Sequence, residues 1–291
     1  MAGGEAPEPR RPTSAPPRGP APAGGLGRGI IQKMDKGPIQ RVVAVGSGKG
    51  GVGKSSATAL LACELRRRGA KVGILDADIT GPSVPKLFGV RGPLADRGEG
   101  IEPAMSPTGI PIVSSQFLVE DERTPVIWRG PLVTRLIVQF YGGVNWGPLD
   151  YLLIDMPPGT SDVPLTVFQT IPIDGMIFVL TPQDLARLIV TKAMNMARDL
   201  HVPLIGLVEN MAYLTCPHCR TTIDLFGPSQ VGKVSEEYAV PILARLPLDP
   251  TLSVACDAGR VESVVLPEVT TYADELIRAI EALDRQRPKV L

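Results

Sequence analysis

The chain has 291 residues and equal numbers of Lys+Arg and Asp+Glu, 30 of each, so its formal charge is zero. That balance implies no polyanion-binding surface and argues against nucleic acid as a partner. The longest apolar runs, such as Gly175 to Leu180, are strand-length and far short of the roughly 20 residues a membrane helix needs, so a soluble protein with no membrane partner is expected.

Residues 1 to about 36 interleave Pro9, Pro12, Pro16, Pro17, Pro20 and Pro22 with Gly, Ala and Arg. Such a composition buries too little apolar area to offset its ordering entropy. A disordered tail over 1–36 and one folded domain over 37–291 follow. An organellar transit peptide is the competing reading of the arginines, but Glu5, Glu8 and the prolines oppose the amphipathic helix it requires. No apolar stretch suits a secretory signal either. Four cysteines without such a signal point to a reducing, cytoplasmic setting, where thiols are more often metal ligands or core residues than disulfides.

From Arg41 onward strand and helix signals alternate, the pattern of an α/β domain whose mostly parallel sheet is flanked by helices. The strands are expected at Val42–Val45, Lys71–Leu75, Ile110–Val113, Tyr151–Ile154, Met176–Leu180, Leu204–Val208 and Ile242–Leu246. Helical periodicity marks Ser56–Arg68, Leu132–Tyr141, Asp184–Leu200, Gln230–Tyr238 and Tyr272–Arg285, and Gly69 is expected to close the first of these. The last helix puts Leu276, Ile277, Ile280 and Leu283 on one face. Its other face lacks the basic character of a membrane-surface anchor, so core packing is expected.

Between the first strand and first helix lies Gly48-Lys49-Gly50-Gly51-Val52-Gly53-Lys54-Ser55, a phosphate-loop pattern with an additional lysine at Lys49. Strand, glycine loop and helix come in the order that lets the backbone N–H groups of Gly50 to Lys54, and the helix N-terminus, point at phosphate oxygens. Lys54 is expected to neutralise the β- and γ-phosphates, and Ser55 to offer its hydroxyl to Mg²⁺. Ser56 completes the nucleotide-binding set.

Asp155 ends the apolar run Tyr151-Leu152-Leu153-Ile154, where an acid can hold the Mg²⁺ water shell. The stiff turn Met156-Pro157-Pro158-Gly159-Thr160 follows, with Gly159 as its adaptable point, suited to sensing the γ-phosphate. Asp76 and Asp78 stand two residues apart and in extended backbone would point the same way. Asp76 is assigned to the metal side and Asp78 to the attacking water, with helix capping near Pro82-Ser83 as the alternative for one of them.

Cys216-Pro217-His218-Cys219 has the spacing for two thiolates on one metal centre, whereas zinc or a cubane cluster wants about four ligands. Cys63, in the first helix, and Cys256 read as core thiols, and His218 reads as a spacer. Two-fold association of the chain supplies the missing pair, with zinc and an iron–sulfur cluster both suited to four thiolates. A thioredoxin-like redox role fits less well, since the pair opens no helix.

Six blocks occur in order: Lys49 to Ser55, Asp76-Ala77-Asp78, Gly81-Pro82-Ser83, Trp128-Arg129-Gly130-Pro131, Asp155 to Thr160, and Glu209-Asn210-Met211. Together they resemble the Mrp/ApbC family, also represented by mitochondrial NUBPL proteins, which are iron–sulfur cluster carriers within the deviant Walker A ATPases alongside MinD and ParA. The resemblance implies that Lys49 crosses a homodimer interface to the partner's nucleotide, much as an arginine finger does. It implies ATP contacts to adenine from Asn210 and from the backbone around Pro247, Leu248 and Asp249. It also implies a [4Fe-4S] cluster bridging two subunits through Cys216 and Cys219, delivered to apo iron–sulfur proteins and exchanged with a cluster-assembly scaffold. Arg220 stands where relatives commonly carry glycine, and Phe226-Gly227-Pro228-Ser229 replaces a glycine-richer stretch, which leaves the loop shape to be settled. A positioning ATPase of the MinD/ParA type without a metal, and a zinc-stabilised nucleotide-binding regulator, are the alternative readings.

Overall fold

The computed structural model describes residues 33–96, 98, 100–118 and 130–286. The tail expected over 1–32 lies outside the described residues, as do Trp128 and Arg129 of the fourth sequence block. Residues 33–36, placed in the tail by composition, are tied to the domain: Met34 N donates to Thr170 O at 2.9 Å, and Lys36 Nζ pairs with Asp174 at 2.6 Å. Two contacts of this quality outweigh the weak local propensity of so short a segment.

The β-branched run around Val42 and Val43 lies within β1 (Ile39–Ser47), and the Ala/Leu-rich run that follows the loop forms α1 (Lys54–Arg67). Gly69, at φ +89°, closes α1 by donating to Arg66 O. Next come β2 (Val72–Asp76), the short α2 (Val84–Phe88), and the two-residue strands β3 (Ala95–Asp96), β4 (Ile101–Glu102) and β5 (Ala104–Met105). The chain continues through β6 (Pro111–Ser114), α3 (Gly130–Gly142), β7 (Leu149–Asp155), α4 (Asp162–Thr170), β8 (Gly175–Leu180), α5 (Asp184–Asp199) and β9 (Leu204–Glu209). Then follow β10 (Leu214–Thr215), β11 (Thr222–Ile223), α6 (Val231–Tyr238), β12 (Ile242–Arg245), α7 (Pro250–Asp257) and α8 (Pro267–Gln286).

Among the described residues one sheet has the order β12-β9-β8-β1-β7-β2-β6-β5. Every pairing in it is parallel except the short edge pair β5 with β6. A parallel sheet buried on both faces needs near-continuous apolar strands, and Val42 to Val45 and Leu152 to Ile154 are fully buried. Alternation along β1 sends Val42 and Ala44 into the core shared with α3, α4, α5 and α6, and Val43 and Val45 into the core shared with α1, α2, α7 and α8. Helix α8 buries Tyr272, Leu276 and Ile280 in that second core, with Ile277 and Leu283 packed at its margin, as its apolar stripe predicts.

At the ends of α2 and α7 two glycines meet backbone to backbone. Gly89 and Gly259 sit at φ +65° and +67°, and a Cβ on Gly259 would lie 2.5 Å from Gly89 Cα. No side chain fits between them. Lys86 and Asp257 add an exposed ion pair at 3.4 Å across the same helices.

Candidate functional site

The carboxyl ends of β1, β2, β7 and β9 converge where β1 enters the phosphate loop. Gly53 adopts φ +78°, and a Cβ there would meet Asn210 Nδ2 at 2.1 Å, so both conformation and space demand glycine. Helix α1 begins at Lys54 with no side-chain cap and no acid in its first turn. Its leading N–H groups and its dipole are therefore available to an anion. A cavity of about 270 Å³ lies over them, lined by the loop from Ser47 through Gly48's neighbours Lys49, Gly50, Gly51 and Val52 to Ser55 and Ser56, together with Asp78 and Pro158. Open backbone, a cation and hydroxyls around such a cavity fit a polyphosphate.

Lys54 and Asp155 are buried together, Nζ to Oδ1 at 2.7 Å. Asp155 also accepts from Ser55 Oγ at 2.5 Å and from Thr58 Oγ1 at 3.1 Å. Hard oxygen donors from Ser55 and Asp155 in mutual contact suit Mg²⁺. Asp76 is the register partner of Asp155 across β2 and β7. It is fully enclosed, and burial first, then the Asp155 carboxylate, pushes its carboxyl well above the ordinary carboxylate range. Ser114 Oγ donates to it at 3.0 Å, and the backbone amides of Asp78 and Val84 donate at 3.2 and 3.4 Å.

Lys54 and Asp155 act on both Asp76 and Asp78, although the extended backbone assumed for the pair stops at Asp76. Strand β2 ends at Asp76, and the amide of Asp78 turns back onto the Asp76 carboxylate, so the period of two does not extend to Asp78. Asp78 faces the cavity, where burial raises its carboxyl against the opposing effect of Lys54. Through Val84 N, Asp76 also meets the first residue of α2, which joins its metal-side placement to the capping alternative.

Lys49 is half-buried in the single chain, and its Nζ is held by Gln183 Oε1 at 3.2 Å. Gln183 Oε1 also accepts from Thr181 Oγ1 at 2.8 Å. The turn after Asp155 is anchored by Met156 N to Val45 O and Gly159 N to Ser47 O, both 2.9 Å, with Gly159 at φ +82°.

Cys216 and Cys219 occupy the tip of the hairpin made by β10 and β11, closed by Cys216 N to Thr221 O at 2.9 Å and Arg220 N to Cys216 O at 3.0 Å. Arg220 takes φ +61°, the left-handed conformation that glycine adopts without strain. Cys219 is exposed, and the Thr221 hydroxyl, 3.2 Å from its sulfur, and the Thr221 amide, with Cys216, pull its thiol down to about 7. His218 is exposed beside them. No group of three or more His, Cys, Asp or Glu side chains able to hold a metal ion occurs among the described residues. Cys63 and Cys256 are buried, and burial pushes the Cys63 thiol up to about 12, as befits an inert core thiol.

Asn210 donates through Nδ2 to Val52 O at 2.9 Å, which ties the end of β9 to the phosphate loop. Leu248 N donates to Tyr213 O at 2.7 Å, Pro247 is half-buried beside it, and Asp249 caps α7 by accepting from Thr251 N at 2.7 Å.

A family model described as NUBPL iron-transfer P-loop NTPase, of the ParA group, matches residues 38–283. The chain belongs to this family. Among curated relatives, iron–sulfur cluster carrier proteins are 48% identical over 233 residues in Methanocaldococcus jannaschii, covering 79% of each chain, and 42% identical over 252 residues in Saccharolobus solfataricus, covering 84% of this chain and 85% of the relative. Among solved structures, a nucleotide-binding protein from Archaeoglobus fulgidus in complex with ADP is 44% identical, with a TM-score of 0.70, covering 80% of this chain and 91% of that one. The septum site-determining protein MinD with Mg-ADP from Pyrococcus horikoshii is 21% identical, with a TM-score of 0.56 over 84% of this chain and 96% of that one, a likeness of fold alone.

For this P-loop NTPase, local patterns located the loop and its acids but missed several partners. Thr58 was within reach of pattern reasoning: it sits one turn after Lys54 on α1 and so shares its face. Ser114, Gln183 and Thr221 carried no such signal, because each becomes a partner only through strand order or hairpin closure.

Proposed function

We propose that the chain is an ATP-hydrolysing iron–sulfur cluster carrier that works as a homodimer. Each copy contributes Cys216 and Cys219 to a shared [4Fe-4S] cluster, which is taken from an assembly scaffold and handed to apo iron–sulfur proteins. The observation that carries this reading is a pair of thiols on one exposed hairpin tip, one with a lowered pKa, where the described residues of one chain form no group of three or more side chains able to hold a metal ion. A centre wanting about four ligands is completed by a second copy.

At the nucleotide end, the backbone from Gly48 to Lys54 and the start of α1 hold the phosphates, and Lys54 leaves Asp155 to face them. Ser55 and Asp155 hold Mg²⁺, with Asp76 behind Asp155. Mg²⁺ supplies charge neutralisation at the phosphates when bound. Asp78, facing the cavity, orients the attacking water. Lys49 leaves Gln183 to reach the partner's nucleotide, and Asn210, Pro247, Leu248 and Asp249 receive the adenine. Nucleotide state changes the dimer geometry and with it the exposure of the cluster.

Anaerobic reconstitution followed by iron, sulfide and zinc analysis tests the reading. About four iron and four sulfide per dimer, lost in Cys216→Ala, are expected. Zinc at that site, or no metal with intact ATPase activity, would replace it by the zinc-stabilised regulator or the positioning ATPase. Lys54→Ala should lose Mg-ATP turnover by about 10² or more, the scale of removing one preorganised donor, and its cluster release should no longer respond to Mg-ATP.

A further inference from the structure

The segment from Glu209 to Ser229 joins the nucleotide loop to the thiols by two adjacent side chains pointing at different targets. Asn210 holds the phosphate loop through Val52 O at 2.9 Å, and its own amide donates to Leu180 O at 2.8 Å. Glu209, one residue earlier and fully buried, accepts from Ser229 Oγ through one carboxylate oxygen and from Arg245 Nε at 2.7 Å through the other. Ser229 is where the chain leaving the cysteine hairpin returns to the domain, and its Oγ also accepts from Val231 N at 3.2 Å, at the start of α6. The entering side of the hairpin is fixed separately: Ala212 N donates to Leu246 O at 2.9 Å, and Tyr213 OH donates to Glu268 Oε1 at 2.7 Å.

We infer that Glu209 and Ser229 are positioning residues that transmit displacement of the phosphate loop, received at Asn210, to the cysteine hairpin. This rests on the cluster-carrier reading for its purpose, though its geometry is independent of what the thiols hold. Both oxygens of this buried carboxylate are engaged, one in the ion pair with Arg245 and one in the bond from Ser229. A shift of β9's end therefore drags both partners with it, because releasing either leaves a buried charge short of a bond. Only five residues separate Asn210 from Cys216, and Met211 at φ +55° sets the direction of that short arm. The hairpin is thus held at its entry by contacts to α8 and the chain after β12, and at its exit by contacts to β9, so a relative motion of these supports re-aims its tip.

The test is nucleotide-dependent reactivity of the thiols in full-length, reduced, cluster-free protein. Iodoacetamide labelling of Cys216 and Cys219 is followed by mass spectrometry, which separates them from Cys63 and Cys256. In the wild type, saturating Mg-ADP is expected to change the labelling rate about fivefold, the lower end of ordinary coupling between two sites. Ser229→Ala should shrink that change below about twofold while leaving Mg-ADP affinity within about twofold, and Ser229→Thr, which keeps the hydroxyl, should restore it. A simple structural role would alter the basal rate in Ser229→Ala but keep the nucleotide response. Full nucleotide response in Ser229→Ala, or none in the wild type, would overturn the inference. Iron loading is read separately: a wild type that loads no cluster but shows this pattern overturns the cargo and keeps the linkage.

Discussion

Cys219 sits exposed at the hairpin tip, its sulfur hydrogen-bonded with the hydroxyl of Thr221 and close to the Thr221 amide. Donors of this kind favour the thiolate, so its pKa falls from the ordinary thiol value to about 7. The sign fixes the profile: alkylation of Cys219 should rise with pH, reach half its plateau near pH 7, and be close to maximal by about pH 8. Thr221→Val should move the midpoint upward toward about 8.5, the value of a free thiol. A midpoint unmoved by that substitution would mean that Thr221 does not set the thiol's charge. At pH 7 about half of this thiol is already deprotonated, so binding a metal centre there would release fewer protons than at an ordinary thiol.

The β10–β11 hairpin shows what an element can hide from sequence. Its strands are two residues long each, too short for any alternation to register, and it exists because Cys216 N meets Thr221 O and Arg220 accepts a left-handed backbone. A non-glycine residue there costs roughly 1–2 kcal/mol, whereas glycine costs roughly 0.5–1 kcal/mol in unfolded-state entropy. Arg220→Gly should therefore tighten the hairpin by about 0.5–1 kcal/mol, seen as about two- to fivefold slower hydrogen exchange at Cys216 and Arg220 amides. Longer elements were legible because their periods repeat. Helix α8 spaces Leu276 and Ile280 on one face, and both are buried, Leu276 completely. Leu276→Ala should cost about 2–5 kcal/mol in chemical denaturation, since this packed site cannot collapse fully. By contrast, the end of β2 at Asp76, short of Asp78, was illegible because the last residue of a strand does not announce itself. The Lys49 contact with Gln183, 134 residues away in sequence, depends on β8 lying beside β1, which no local pattern encodes.

At the scale of the whole molecule, the proposed homodimer turns on Lys49. In the single chain Lys49 is committed to Gln183, so a role on another subunit's nucleotide requires that contact to open. Hydrolysis per protomer should then rise with protein concentration over the range of dimerisation. Lys49→Ala should abolish that rise and lose about 10³-fold or more in rate, the scale of a finger supplied in trans, while retaining nucleotide binding. Mixing Lys49→Ala with Lys54→Ala should recover part of the activity, because a mixed dimer offers one intact nucleotide loop facing one intact Lys49. A Lys49→Ala protein of full activity at every concentration would place this lysine outside the reaction.

Helices α2 and α7 end against each other at Gly89 and Gly259 with no side chain between them, so neither can slide without carrying the other. The first follows the segment that bears Asp78, and the second starts at its cap Asp249, beside Leu248. The segment bearing Asp78 and the turn that opens α7 are in this way joined through one backbone contact. A displacement of either helix at that contact has to be matched by the other, because no side chain lies between them to yield.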